Sequence, residues 1–126
     1  MKKFTTIAVT LLAAGCITGD CVNGVRYQLL SPDGKSRLVV FNRACGATVG
    51  SNTQASVLGR DEVLPDETGN FLTLDQGEAK VSWKPDGGVL VTLDHGSRTF
   101  KKEWSIRGIA IECRESDEAH ETIRSE

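Results

Sequence analysis

The residues of this chain with most chemistry to offer are its four cysteines, Cys16, Cys21, Cys45 and Cys113. A thiol can be acylated, oxidised to a disulfide or used as a thiolate nucleophile, and its surroundings decide which. Nucleophilic use needs a base nearby, and the chain has only two histidines. His95 stands in His95-Gly96-Ser97, a turn composition, and His120 lies in an acid-rich C-terminal stretch. Neither can be paired with a cysteine by any recognisable spacing, and no serine occupies a G-x-S-x-G elbow. Asp94-His95 reads as a solvated turn. The acids Asp61, Glu62, Asp66 and Glu67 lack the D-x-D-x-D-G spacing of a calcium loop, so they read as a solvated loop. The expectation is a protein that is not an enzyme, with no metal and no cofactor.

The N-terminus is more specific. Met1-Lys2-Lys3 is a short positive segment, followed by an uncharged and mostly apolar stretch over 4–14. That is the layout of a secretory signal. About 11 residues at 1.5 Å each span roughly 16 Å, well short of the ~30 Å hydrocarbon core of a bilayer. The stretch ends in Leu11-Leu12-Ala13-Ala14-Gly15-Cys16, which resembles the lipobox of bacterial lipoproteins. There, small residues precede a cysteine that takes a diacylglyceryl group before cleavage. Ala13 departs from the commonest box, which has leucine three residues before the cysteine. The resemblance implies cleavage before Cys16 and attachment to a membrane through acyl chains, palmitate among them, on that residue. Ile17 stands where an aspartate favours inner-membrane retention, so the periplasmic face of an outer membrane is expected in a cell that has one. The alternative is ordinary cleavage after Gly15, leaving Cys16 as the first residue of a soluble secreted protein.

Loss of 1–15 removes Lys2 and Lys3 from 15 basic residues and leaves all 17 acids, a formal charge of −4. Most of that excess sits in a tail over 114–126, expected to be disordered, and the body is nearly neutral. Nucleic-acid binding wants a basic footprint and is not expected. Export places the remaining three cysteines in an oxidising compartment. Cys21 and Cys45 occupy polar, glycine-containing segments that look like loops or strand ends. Cys113 closes the alternation Ile109, Ile111, Cys113 and points inward as a small apolar residue. A Cys21–Cys45 disulfide with Cys113 free is therefore expected.

No segment has helical periodicity. Short alternating or apolar runs are divided by turn residues every 8 to 12 positions, the pattern of an all-β domain. Strands are expected over 25–30 and 37–42, joined by Ser31-Pro32-Asp33-Gly34-Lys35, and over 54–59 and 70–74, around a polar loop over 60–69. Strands 78–84 and 89–94 flank Pro85-Asp86-Gly87-Gly88, and 98–105 and 106–114 complete the set. In both joints proline pre-sets φ and glycine takes the left-handed position. The expected fold is a small antiparallel sandwich or partly open barrel of seven or eight strands. The domain plan is a signal over 1–15, a short linker over 16–20, a β domain over 21–113 and the tail. The two hairpins around SPDGK and KPDGG look alike and are similar to the strand–PDG–strand units of periplasmic β-propellers. A propeller needs far more chain, so shared turn chemistry is the preferred reading and a blade fragment the alternative.

Cys45-Gly46-Ala47-Thr48-Val49-Gly50, followed by Thr53-Gln54-Ala55-Ser56, resembles an uncharacterised family of small bacterial envelope proteins. Its members carry a C-G-A-T-x-G…T-Q-x-S core after an SPDG hairpin. An early cysteine (here Cys21) and a late R-x-F-K…R-G-x-x-I segment (Arg98, Phe100, Lys101, Arg107, Gly108, Ile111) extend the likeness. Ala44 departs from the acidic residue that often precedes the core cysteine. The resemblance also implies the Cys21–Cys45 pairing and an envelope location, and no activity. The loop over 46–54 is rich in hydrogen-bonding groups, and Thr48, Asn52, Thr53 and Gln54 are its candidate binding residues, for a sugar or peptide. A purely structural loop is the competing reading. Arg98, Lys101, Lys102 and Arg107 could meet an anionic lipid, or form an ordinary charged strand face. Three functions remain open: a non-catalytic envelope lipoprotein meeting an envelope protein or the cell wall; a lysozyme-type muramidase inhibitor, which Asn23-Gly24-Val25-Arg26-Tyr27 faintly resembles; and a small hydrolase.

Overall fold

A computed structural model describes residues 21–45 and 52–116 of the protein. The signal over 1–15, the linker, Cys16, Thr48 and the tail beyond 116 lie outside the described residues. Tight turns set the strand order. At Ser31-Pro32-Asp33-Gly34 the glycine takes φ 74°, its N–H bonds to the Ser31 carbonyl at 2.9 Å, and the chain reverses. The hairpin pairs β1 (Cys21–Leu30) with β2 (Ser36–Cys45), from Leu30 opposite Arg37 to Cys21 opposite Cys45. β3 (Asn52–Gly59) adds to β2, and β4 (Leu72–Gln76) to β3. The Pro85-Asp86-Gly87-Gly88 turn joins β5 (Ala79–Trp83) to β6 (Val89–Leu93) in a second sheet.

The chain then changes sheet. β7 (Arg98–Lys102) pairs with β4, and a two-residue strand β8 (Ser105–Ile106) turns at Arg107-Gly108 into β9 (Ile109–Glu115). The sheets run β1-β2-β3-β4-β7 and β5-β6-β9-β8. This is the expected all-β, sandwich-like architecture, and the sheets do not close into a barrel. Its detail differs from the sequence expectation in count and in one pairing. Nine strands are present among the described residues, because the segment over 98–114 contains three strands in place of two. β9 lies parallel to β6, Val89 opposite Ile111. A parallel neighbour needs a long crossover, and the excursion through β7 in the other sheet supplies it. β9 runs to Glu115, so Arg114 and Glu115 belong to the domain and not to the tail.

Alternation explains the core. Leu38, Val40, Ala55, Val57, Leu72 and Leu74 face Val81, Val89, Val91 and Ile111 across the gap between the sheets. β2 is buried on both faces, which is why its sequence reads as a continuous apolar run. Val39 and Phe41 form a second cluster with Leu58, under Leu64 of the loop 60–70. Tyr27 stitches the sheets: its hydroxyl accepts the Val81 N–H at 3.0 Å and donates to the Val81 carbonyl at 3.2 Å. β5 is an edge strand, so one side chain satisfies backbone groups that no neighbouring strand reaches.

Candidate functional site

Cys21 and Cys45 are disulfide-bonded, as expected, and face each other at the open end of one antiparallel hairpin. A bulge between Val25 and Tyr27 puts them there. Below it the partner of residue 27 is Val40, and above it the partner of residue 25 is Phe41. Without the extra residue, Arg26, Cys45 would face Val22. The bulge also re-aims Arg26, as bulges do. Its guanidinium donates to Thr53 Oγ1 at 3.2 Å and to Glu78 Oε1 at 2.9 Å, and the Thr53 hydroxyl lies 3.4 Å from the same carboxylate oxygen. Sequence reasoning singled out neither Arg26 nor Glu78. They are 52 positions apart, and an extra residue inside a strand leaves no local signature.

Of the four candidate binding residues, three are described. β3 begins at Asn52, so Asn52, Thr53 and Gln54 belong to a strand and not to the loop. Thr53 and Gln54 are buried, at 3% and 2% exposure. Gln54 is spent internally: its amide nitrogen donates to Asn52 Oδ1 at 2.8 Å, and its oxygen accepts the Gly69 N–H at 2.6 Å and faces the Thr73 hydroxyl at 3.4 Å. Gln54 thus holds β3 to the segment that covers it, while Asn52 bonds to Gln54 and Thr53 to Arg26.

The basic cluster is divided among separate partners. Arg98 pairs with Asp75, and Lys101 donates to the Gly69 carbonyl at 3.2 Å. Lys102 sits over the Trp104 ring, 5.4 Å from its centre. Trp104 and Phe100 stand out into solvent at 68% and 72% exposure. Phe100 is on the exposed face of β7, where burial alternates, and Trp104 lies in the two-residue link between β7 and β8. Cys113 is a free thiol, half-buried against the inter-sheet core, and burial raises its pKa against the opposing effect of Lys102. A thiol held protonated is a poor nucleophile. His95 is exposed in its turn, with Glu115 Oε1 at 3.9 Å from Nδ1.

One ion pair ties the two sheets. Arg107 occupies the left-handed region at φ 51° in a turn with Gly108 at 79°, and reaches Glu62 with both terminal nitrogens, at 2.6 and 3.1 Å. The bidentate bond to Arg107 is the main reason that Glu62 titrates at about 2 in place of 4.5; the Gly59 N–H, 2.8 Å away, adds to it. A carboxylate depressed in the folded state stabilises fully above its unfolded value and loses that contribution as pH falls through the folded one. Glu62→Gln should therefore be less stable than wild type at pH 7, and the difference should vanish between about pH 4.5 and pH 2. Urea midpoints measured across that window check this; a gap independent of pH would contradict it.

Comparison with known protein families, with characterised proteins and with solved structures returns no match for this chain.

Proposed function

We propose that the chain is a lipid-anchored lipoprotein of the bacterial cell envelope whose β domain is a non-catalytic binding or structural accessory. The observation that carries this reading is Leu11-Leu12-Ala13-Ala14-Gly15-Cys16 at the end of a short apolar stretch behind two lysines. Two or three acyl chains at about 0.8 kcal/mol per buried methylene make attachment effectively permanent. The β domain fits such an anchor. Its first strand opens at Cys21, stapled to Cys45, and the five residues back to Cys16 span at most roughly 17 Å. The domain then rides close to the bilayer and meets membrane-proximal partners, on the periplasmic face of the outer membrane where one exists. No helix among the described residues is long and apolar enough to cross a membrane.

Labelled palmitate should enter the wild-type chain in cells and be absent from Cys16→Ser. Equal labelling of the two would remove the anchor and leave a soluble secreted domain.

A further inference from the structure

The two look-alike turns do more than reverse their own hairpins. Ser31-Pro32-Asp33-Gly34 belongs to the first sheet and Pro85-Asp86-Gly87-Gly88 to the second, yet the sandwich brings them to one end, as opposite walls of a cavity of about 210 Å³. Trp83 and Ile109 lie between them. The indole is fixed: its N–H donates to the Leu29 carbonyl at 2.8 Å across the gap between the sheets, and the ring packs on the inter-sheet core. A second, more open recess of about 310 Å³ shares Asp86, Gly87 and Ile109 with the first, so the trough continues past the second turn.

We propose that this trough binds a neutral saccharide chain, with Trp83 as the platform for a sugar ring and Asp33 and Asp86 as acceptors for its hydroxyls. A pyranose presents a face of C–H bonds and a rim of O–H donors. The first stacks on an aromatic plane and the second donates in pairs to carboxylates, in charge-assisted bonds that are stronger than neutral ones. Both aspartates are held for that task by one oxygen. Asp33 Oδ1 accepts the Lys35 N–H at 2.9 Å and the Ser31 hydroxyl at 2.7 Å, and Asp86 Oδ1 accepts the Gly88 N–H at 2.9 Å. The other oxygen of each remains for a ligand, with Lys84 no nearer than 4.0 Å to that of Asp86.

Charge decides between a sugar and a cation. Lys35 follows Asp33 by two residues, and Lys84 stands between Asp86 and Glu112, 2.8 Å from the latter. Asp33, Asp86 and Lys84 are the charged residues lining the two recesses, so the trough carries one excess negative charge at most, too little for a multivalent cation and suited to an uncharged ligand rich in donors. Pro32 and Pro85 stiffen the walls, so little ordering entropy is lost on binding. Two adjoining recesses suit successive sugars of a chain better than one monosaccharide. The identification of that chain as the N-acetylated glycan of the cell wall rests on the envelope reading; the groove itself rests on its geometry.

The test uses the full-length chain carrying Cys16→Ser and Trp104→Phe, so that Trp83 alone reports, and the N-acetylglucosamine tetramer as probe. A saturable change in Trp83 emission at millimolar tetramer or below is expected. Asp33→Asn together with Asp86→Asn should weaken it about tenfold or more, the loss expected when hydrogen bonds to charged groups become neutral. Asparagine keeps the oxygen that accepts the turn N–H groups but loses the charge that those bonds favour at Asp33, so the melting temperature should fall modestly while the domain stays folded. No saturable response, a response unchanged in the double variant, or a response to a lysine-containing peptide alone would each overturn the proposal. Palmitate labelling is independent of all of these: a chain that binds the tetramer but takes no palmitate keeps the groove and loses the anchor.

Discussion

Gly69→Ala should destabilise the domain by on the order of 3 kcal/mol, a far larger loss than a methyl group on an ordinary loop would cause. The residue lies at the end of the polar loop, where alternation gives it no role. In the fold its backbone is pressed against β3 and β4. A Cβ there would stand 2.5 Å from the Ala55 carbonyl oxygen, 2.5 Å from that of Leu72 and 2.8 Å from the Ala55 nitrogen. All three are backbone atoms of the sheet, so no side chain can swing aside. The loop must back away instead, and what it carries goes with it. The β3–β4 ladder is short, Gln54 opposite Thr73 and Ala55 opposite Leu72. Beyond it the edge of β3 is completed by Asn70, whose side chain accepts the Val57 N–H and donates to the Val57 carbonyl, both at 2.9 Å. Asn70 also donates its own N–H to Ser56 Oγ at 2.9 Å, and Gly69 donates to Gln54. Displacing the segment leaves several of these groups unpaired at about 1–3 kcal/mol each. Gly24→Ala is the control: its Cβ would meet nothing within 4 Å, and it should change stability little. Equal urea midpoints for the two variants would show that the loop is not wedged.

The same segment shows what the sequence could and could not reveal. Alternation in Ala79–Trp83 and Val89–Leu93, and the Pro85-Asp86-Gly87 turn between them, identified the second-sheet hairpin, because both signals are local. The disulfide was legible for a related reason: Cys21 and Cys45 sit in polar, glycine-containing segments, while Cys113 ends an inward-facing alternation. The remainder depends on partners remote in the chain. Asn52, Thr53 and Gln54 read as part of a polar loop, open to a recognition or a purely structural role, since a buried amide looks like an exposed one until Gly69 and Thr73 are placed beside it. Asn70 read as the start of a strand; it is instead a side chain standing in for one, and β4 begins two residues later. The hairpin at Arg107-Gly108 was missed because the strand carrying the alternation of Ile109, Ile111 and Cys113 was extended back to Ile106, which is out of phase with it. A left-handed arginine is costly and uncommon, and only Glu62, 45 residues away, shows why it is kept. The groove between the turns was half legible. The likeness of the two turns was plain, but their meeting around Trp83 requires knowing that the sheets face each other with that end in common.

Loss of the Cys21–Cys45 bridge should cost about 3 kcal/mol in the chain-entropy model, for cysteines 24 residues apart. Cys21→Ser with Cys45→Ser, compared by urea denaturation with the bridged chain, is the measurement. The context argues for the full amount. β1 is the outer strand of its sheet and pairs only with β2. In its first half the backbone pairs on that one side, Asn23 adds bonds to the Pro65 and Glu67 carbonyls at 3.1 and 3.2 Å, and the exposed residues include Val22 and Val25, which gain little from burial. The bulge at Arg26 removes a ladder pair in the middle of the strand, so the stretch above it cannot rely on uninterrupted pairing below. The bridge closes that upper stretch, and with it the register that points Arg26 at Thr53 and Glu78. In the serine variant the end of the hairpin should fray, and amide exchange should rise from Cys21 to Val25 while the SPDG end stays protected. Cys113→Ser, by contrast, changes a half-buried thiol with no bridge to lose, and should cost clearly less. Thiol titration of the denatured, unreduced Cys16→Ser chain should find one free thiol, at Cys113. A disulfide mapped to Cys113, or a double-serine variant as stable as the bridged chain, would mean that β1 is held by its backbone alone.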